Sequence, residues 1–211
     1  MQYQIANLYC QPVTLFKVNV DGVAEFFDTI IKPKFPNQER ETHSQGNLAN
    51  YHNEENIFEI YDELKPLEKE LLDAAHFVYQ EILNYDNELR FTNAWINECG
   101  IGGYQDNHNH CNSILSGTVY LRTDENTNIV FPNQHHSSNI VPHISNDPNQ
   151  ERENKYGYYY HKPTATFHVS DGDCMIWPSQ LPHGYRNNQT PGRLSLSFNL
   201  FPTKLNCLYQ I

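Results

Sequence analysis

Basic residues are scarce in this sequence. Its 211 residues include 14 Lys and Arg against 25 Asp and Glu, a formal net charge of −11, and no stretch concentrates the basic residues. A surface that follows a phosphate backbone requires clustered positive charge. We therefore expect no nucleic-acid partner.

Cysteine pairs with the spacing of metal or disulfide sites are also missing. The five cysteines are odd in number, scattered and contain no CxxC pair; they are Cys10, Cys99, Cys111, Cys174 and Cys207. This pattern argues against a disulfide framework and against a thiolate zinc site. We expect a reduced protein in the cytoplasm.

Long apolar runs are absent as well. The N-terminus lacks a basic start followed by an apolar stretch, and nowhere are there about 18 consecutive apolar residues. We expect neither a signal peptide nor a membrane span. Hydrophobic residues make up 38% of the chain, which predicts a loop-rich fold. No break in composition divides the sequence, so we expect one domain over residues 1–211, as a monomer or homodimer.

Two patterns organise the chain. The segment "TLFKVNV" (14–20) is rich in β-formers and ends at the turn pair Asp21-Gly22, and the following "VAEFFDTII" fits either a short strand or a helix. Helical spacing of apolar residues, with a proline in the first turn, predicts one long helix from about Pro66 to Asn84. From "RFTNAWINECG" onward the period changes to two, with frequent turn signals. We expect a β-sandwich or barrel buttressed by the single helix, interrupted by a long polar insertion at about 132–163.

The stretch "DNHNHCNSILSGTVYL" (106–121) spaces three candidate metal ligands by two. Side chains two apart on a strand point to the same face, so Asp106, His108 and His110 are placed to share one space. Two imidazoles spaced in this way bind one ion as neighbouring ligands. Taken alone, the spacing is more typical of a polar loop whose histidines contact only water.

Two downstream segments extend this pattern. In "DGDCMIWPSQLPHGYRNN" a tight turn launches an apolar strand, and His183 follows in a loop that enters the next strand. In "GRLSLSFNLF" the residues Arg193 and Ser195 alternate with leucines. The polar face of that strand is either wet or lines a lumen in which Arg193 and Ser195 hold a carboxylate.

The order of these motifs resembles the Fe(II)/2-oxoglutarate-dependent oxygenases. It is most similar to an uncharacterised hydroxylase-like subgroup with "H-x-H…SG-x-x-YL" and "G-D…WPS…PHG…R-x-S-x-SFN". The match runs from about Trp95 to Phe201. The resemblance implies a mainly β double-stranded β-helix, or jelly roll, with its core at about 91–202, and it implies Fe(II) with 2-oxoglutarate as cosubstrate.

The resemblance also implies a role for each matching residue. His108, His110 and His183 take the positions of the three metal ligands, and it implies no catalytic residue beyond them. Arg193 takes the position that pairs with the distal carboxylate of 2-oxoglutarate, with Ser195 beside it. Tyr120 matches a strand tyrosine that contacts the same carboxylate.

The sequence departs from the family at His110, where the usual ligand is Asp. Either Asp106 completes the triad or orients an imidazole, or three histidines bind the metal as in some thiol and diketone dioxygenases. Because His110 has the family's spacing to the following strand, we predict that His110 is the ligand.

Three functions remain open. The leading one is a 2-oxoglutarate-dependent hydroxylase that acts on a protein side chain, an amino acid or a small metabolite and releases succinate and CO2. The others are a three-histidine cupin-like dioxygenase without 2-oxoglutarate and a noncatalytic jelly-roll binding protein. We expect Trp95, Asn97 and Asn112 to surround the substrate. The tyrosine cluster at 156–161 fits an edge strand and a lid equally well.

Overall fold

Ten β-strands form two antiparallel sheets in the computed structural model, which describes residues 11–38, 47–133 and 164–205. The larger sheet has the order β1-β8-β5-β10-β3-β2, and the smaller one β4-β9-β6-β7. The strands are β1 (Thr14–Lys17), β2 (Leu48–Tyr51), β3 (Leu89–Cys99), β4 (Gln105–His108), β5 (Leu115–Arg122), β6 (Asn128–Pro132), β7 (Thr164–His168), β8 (Asp173–Pro178), β9 (His183–Tyr185) and β10 (Arg193–Pro202). This architecture confirms the prediction of a mainly β jelly roll.

The predicted long helix is present with slightly different ends. The helix α3 (Lys65–Phe77) has Pro66 in its first turn, where backbone N–H groups have no partner within the helix, so the proline costs no hydrogen bond. The helix continues as a π-helical turn over Val78–Ile82. The segment "VAEFFDTII" (23–31), which fitted either a strand or a helix, is helical. Its α1 (Val23–Phe26) continues as a π-helical turn (Phe27–Ile31) and a 3₁₀ turn (Lys32–Lys34). A further short helix, α2 (Ile57–Ile60), and a 3₁₀ turn (Asp62–Leu64) precede α3.

Alternation along β10 separates the apolar core from the interior of the roll. One row of its side chains is fully buried in the cluster that α3 covers: Leu194, Leu196, Phe198 and Leu200. The helix contributes Leu67, Leu71, Ala75 and Val78 to the same cluster. Burying a large apolar side chain stabilises a fold by about 2 kcal/mol, so this layer fixes the outer side of the larger sheet. The other row of β10 is thereby directed between the two sheets.

The space between the sheets has an apolar half and a polar half. The apolar cluster contains Tyr120, Ile129, Phe131, Val169, Met175 and Trp177. The inner row of β10 supplies buried polar groups, namely Arg193, Ser195 and Asn199. Polar side chains inside a fold require hydrogen-bond partners or a ligand, and this end of the roll therefore holds the candidate site.

Two strands that precede the predicted core belong to the larger sheet. The predicted core began at about residue 91, but β1 and β2 pair with β8 and β3 and extend the larger sheet on both edges. Both strands are short and lie far from the motifs in sequence, so local pattern gave no sign of their partners.

The predicted insertion at about 132–163 falls between β6 and β7, and its residues 134–163, with the tyrosine cluster, lie outside the described residues. In the described part of the chain, no helix has the length and apolar character needed to span a membrane.

Candidate metal centre

Two of the predicted ligands lie opposite each other on paired strands. His108 ends β4 and is the cross-strand partner of His183, which begins β9. The close pairing depends on Gly184, because a Cβ added there would lie 2.6 Å from the backbone oxygen of Gln105. His110 follows β4 by two residues, and its backbone N–H donates to the carbonyl of Ser179 (2.9 Å). Backbone pairing thus brings together three histidines that are separated by up to 75 positions.

The three imidazoles converge on one point. Each offers one ring nitrogen, and the three nitrogens all lie within 4.8 Å of one another. The ring centroids of His108 and His183 are 4.4 Å apart, those of His108 and His110 are 5.1 Å apart, and those of His110 and His183 are 5.3 Å apart. Three nitrogens at this spacing fit the open-faced geometry of a transition-metal site.

Hydrogen bonds fix the ring orientation of two of these histidines. Nδ1 of His108 donates to the carbonyl of Asp106 (2.9 Å), and Nδ1 of His183 donates to the carbonyl of Leu181 (3.0 Å). A carbonyl only accepts, so the proton of each neutral ring is on Nδ1 and the lone pair of Nε2 is available. His110 differs, because Asn199 Nδ2 lies 3.3 Å from its Nδ1.

Burial keeps His110 and His183 neutral. Desolvation, with His108 nearby, lowers the pKa of His110 to about 4. Desolvation lowers the pKa of His183 to about 3; His108 and His110 add to the shift, and the bond to Leu181 opposes it. Metal ligation requires the unprotonated ring, so the folded chain presents both imidazoles in the competent charge state well below neutral pH.

Asp106 is directed away from this cluster. Its side chain is exposed, and its carboxylate accepts a hydrogen bond from Arg186 Nη2 at 2.6 Å. It is absent from the group of residues that converge to hold an ion. What Asp106 contributes is its backbone carbonyl, which orients His108.

A cavity that is open to solvent extends from the histidines into the roll. Arg193 lies inside it, 4% exposed, with its guanidinium 3.6 Å from the ring centroid of Tyr185 and 5.6 Å from that of Tyr120. Burial raises the pKa of Tyr120 to about 12, and the neighbouring Arg193 opposes the shift. No Asp or Glu is found among the described residues that line the cavity.

Three buried donors in this cavity meet no hydrogen-bond acceptor among the described residues. They are Arg193 Nε, Tyr120 Oη and Trp177 Nε1. A buried donor without an acceptor costs about 1–3 kcal/mol, more if it is charged. The arrangement therefore calls for a ligand with several acceptor oxygens and negative charge.

The other predicted residues divide into two groups. Ser195, Trp95 and Asn97 line the cavity, and Trp95 Nε1 donates to Asn97 Oδ1 (2.9 Å). Asn97 Nδ2 in turn donates to Ser197 Oγ (2.9 Å). Asn112 is exposed and is not among the residues that line the cavity.

Three side chains of the site were not predicted from the sequence. Trp177 lies in an apolar run that gives no sign of an inward-facing N–H, and its ring is 4.6 Å from that of His183. Tyr185 follows His183 by two residues on β9, a spacing that places both on one face and that could have indicated it. Asn199 shares the inner face of β10 with Arg193 and Ser195, so its position was visible in the alternation but its contact with His110 was not.

A comparison of the sequence with protein families finds one match. The profile of the family described as "Putative 2OG-Fe(II) oxygenase" matches residues 93–199, slightly more than half of the chain. These residues include all three histidines and Arg193. No curated protein matches the sequence.

Solved structures that resemble the fold come from several proteins. The non-heme alpha-ketoglutarate-dependent epimerase SnoN of nogalamycin biosynthesis has a TM-score of 0.59 at 15% identity, covering 91% of this chain and 79% of SnoN. HygX from Streptomyces hygroscopicus, solved with nickel, 2-oxoglutarate and hygromycin B, has a TM-score of 0.55 at 13% identity, covering 92% and 84%. OsALKBH1 has a TM-score of 0.55 at 15% identity, covering 91% and 100%. Likeness at these identities supports the shared fold.

Proposed function

Since the chain belongs to the putative 2OG-Fe(II) oxygenase family, we propose that it is an Fe(II)- and 2-oxoglutarate-dependent oxygenase that hydroxylates a C–H bond. The substrate class is a protein side chain, an amino acid or a small metabolite. The observation that carries the proposal is the buried Arg193, which lies in the cavity of the three histidines without a carboxylate partner among the described lining residues.

The histidines fit a divalent metal. His108 and His183 present Nε2 lone pairs, and His110 lies within ligand distance of both. Imidazole suits Fe(II) among other first-row metals, and three ligands on one face leave the opposite face open. We propose His108, His110 and His183 as the ligands, with Asp106 orienting His108 through its carbonyl.

The polar end of the cavity fits a dicarboxylate. Arg193 offers a planar pair of donors, Tyr120 Oη adds another, and Ser195 lies on the same strand face. The Tyr185 ring, 3.6 Å below the guanidinium, holds Arg193 in place, because a cation over an aromatic face is attracted by its quadrupole. We propose that these groups bind the distal carboxylate of 2-oxoglutarate.

The chemistry that Fe(II) and 2-oxoglutarate supply when bound is the use of O2 to oxidise a C–H bond, with succinate and CO2 as by-products. The chain's part is to hold three neutral imidazoles, to orient the cosubstrate through Arg193 and Tyr120, and to exclude water with Trp177 and Tyr185. Trp95 and Asn97, on the inner face of β3, are the proposed substrate contacts. We also propose that Asn112, at the rim, contacts the substrate. The proposed location of the protein is the cytoplasm.

The test is replacement of the buried charge. In Arg193→Met a similar volume is kept and the guanidinium is removed, so we expect 2-oxoglutarate to bind the metal-loaded protein about 10–100-fold more weakly, the loss of a charge-assisted bidentate pair. Isothermal calorimetry with Mn(II) in place of Fe(II) measures this change. Arg90→Met, at an exposed position of β3, is the matched control and should bind as wild type does.

The same variant gives a second readout. An uncompensated buried charge opposes folding, so metal-free Arg193→Met should be at least as stable as wild type against urea, even though it binds 2-oxoglutarate poorly. Unchanged 2-oxoglutarate affinity in Arg193→Met would contradict the proposal.

A three-histidine dioxygenase without cosubstrate is the second candidate, and the observation that favours it is the imidazole of His110 where a carboxylate is usual. A dioxygenase without 2-oxoglutarate leaves Arg193 and Tyr120 without a role. Consumption of O2 by the Fe(II)-loaded protein with a candidate substrate and no 2-oxoglutarate would support this candidate over the first.

A further inference from the structure

His110 is oriented by a side-chain amide, whereas the other two histidines are oriented by backbone carbonyls. Asn199 is 6% exposed, and its Nδ2 lies 3.0 Å from Asn93 Oδ1 and 3.3 Å from His110 Nδ1. An amide nitrogen carries two hydrogens, and these two contacts use both. His110 Nδ1 is therefore an acceptor in this arrangement, and the proton of the neutral ring is on Nε2.

That protonation is the opposite of what the other two histidines show. A ring with its proton on Nε2 has no lone pair there, and the lone pair of its Nδ1 already accepts from Asn199. The contacts seen here thus arrange two histidines for ligation through Nε2 and place the proton of the third on its Nε2.

A chain of buried hydroxyls leads to the other side of Asn199. Ser116 Oγ donates to Asn199 Oδ1 (2.7 Å) and lies 2.9 Å from Ser179 Oγ, which in turn accepts from Ser113 Oγ (2.8 Å). A hydroxyl has one hydrogen and two lone pairs, so it can exchange the roles of donor and acceptor by rotation. The three serines are at most 5% exposed and therefore bond to one another and to the amide.

These groups also satisfy a second arrangement. If both amides turn over, Asn93 Nδ2 and His110 Nδ1–H donate to Asn199 Oδ1, while Asn199 Nδ2 donates to Ser116. Ser116 then donates to Ser179. Each of these contacts is kept with its direction reversed. Thr92 Oγ1, which donates to Asn93 Oδ1 (3.2 Å) in the first arrangement, accepts from Asn93 Nδ2 in the second. The lone pair of His110 Nε2 becomes available.

We infer that Asn199 is a positioning residue that sets the tautomer of His110, an inference that rests on the proposed metal site. Metal binding then turns the amides of Asn93 and Asn199 from the first arrangement to the second. The hydroxyl chain of Ser116, Ser179 and Ser113 permits the turn because it works in either direction. Metal-bound histidines generally donate their second N–H to an acceptor, which the turned Asn199 Oδ1 supplies.

Nitrogen NMR of protein labelled with ¹⁵N-histidine tests the first arrangement without any metal. We expect His110 as the Nε2–H tautomer and both His108 and His183 as the Nδ1–H tautomer. Addition of diamagnetic Zn(II) should convert His110 to the Nδ1–H form. A metal-free His110 that already has its proton on Nδ1 would overturn the inference.

Two substitutions separate positioning from packing. Asn199→Ala should leave His110 as a mixture of tautomers and weaken Zn(II) binding about 10–100-fold in a chelator competition, the usual effect of losing such a partner. Asn199→Asp, which can only accept when ionised, should give the Nδ1–H tautomer without metal and bind Zn(II) at least as tightly as wild type. Asn128→Ala, at an amide that bonds the backbone of Asn126, is the control and should change neither property.

The outcomes separate the two claims. If Asn199→Ala and wild type share one tautomer and one Zn(II) affinity, the role of Asn199 is wrong while the metal site stands. If wild type binds no divalent ion at the three histidines, the proposed function fails, and the tautomer of His110 in the metal-free protein still tests the contact with Asn199.

Discussion

In the proposed ligand set, His110 takes the position that a carboxylate fills in the two-histidine, one-carboxylate triad of non-heme Fe(II) oxygenases. Three neutral imidazoles would leave the full +2 charge of the metal uncompensated by the protein, and the described cavity wall adds no carboxylate. A dianionic cosubstrate would supply that compensation. The acidic alternative, Asp106, is held by Arg186 at the surface.

The first prediction contrasts these two residues. His110→Ala should lose bound iron, because two imidazoles alone hold a divalent ion weakly, whereas Asp106→Ala should retain it. His110→Asp should retain iron, because the carboxylate restores three ligands. Metal analysis after gel filtration gives the iron content of each variant. Loss of iron in Asp106→Ala with retention in His110→Ala would reverse the assignment.

The second prediction concerns pH. The pKa of His183 is about 3 in the folded chain, below its ordinary value of about 6.5, so between these values the unfolded chain binds a proton that the folded chain does not. The free energy of unfolding of the metal-free protein should therefore fall as pH decreases through this window.

His183→Gln removes this proton uptake, so urea unfolding at pH 6 and pH 5 provides the measurement. Between pH 6 and pH 5, the free energy of unfolding of wild type should fall by about 1 kcal/mol more than that of the variant. Equal losses in the two proteins would contradict the burial of a neutral His183.

Strands β4 and β9 are the elements that hold the site together, because their register places His108 opposite His183. Helix α3 contributes indirectly by covering the outer face of β10, so that Arg193 and Asn199 are directed inward. The alternation of β10 and the helix could be predicted from sequence because each depends on local periodicity. The pairing of β1 and β2 with distant strands could not, because short strands carry no signal for their partners.

The third prediction addresses the β4–β9 pairing. In Gly184→Ala the new methyl group meets the Gln105 carbonyl at 2.6 Å, which should separate the strands, cost about 1–3 kcal/mol of stability and weaken metal binding. Gly22→Ala is the matched control. A Cβ there meets no atom within 4 Å, but its φ of +75° makes the substitution costly, by about 1 kcal/mol.

The control should therefore lose stability and keep its metal affinity. Thermal unfolding and chelator competition measure the two properties separately. Unchanged metal affinity in Gly184→Ala, at a cost in stability similar to that of Gly22→Ala, would show that the close approach does not position the ligands.

At the scale of the whole molecule, the larger sheet separates the apolar layer under α3 from the candidate site between the sheets. Apolar clusters and α3 stabilise the fold, while the open end presents histidines, orphaned donors and the cationic Arg193 to one cavity. The motifs singled out the three histidines and Arg193, which line one cavity, because their order along the chain is that of the family. They did not predict Trp177 or the link from Asn199 to His110, since those contacts arise only when β8 lies near β9 and β10 lies near the segment after β4.

The central claim is that Fe(II) and 2-oxoglutarate bind together in this cavity. Anaerobic addition of Fe(II) and then 2-oxoglutarate to the purified protein, followed by visible absorption spectroscopy, tests it most directly. We predict a weak charge-transfer band that appears only when both are present and that is lost in His183→Gln. No band in wild type, together with no 2-oxoglutarate-dependent rise in the Tm of the Fe(II)-loaded protein, would contradict the account.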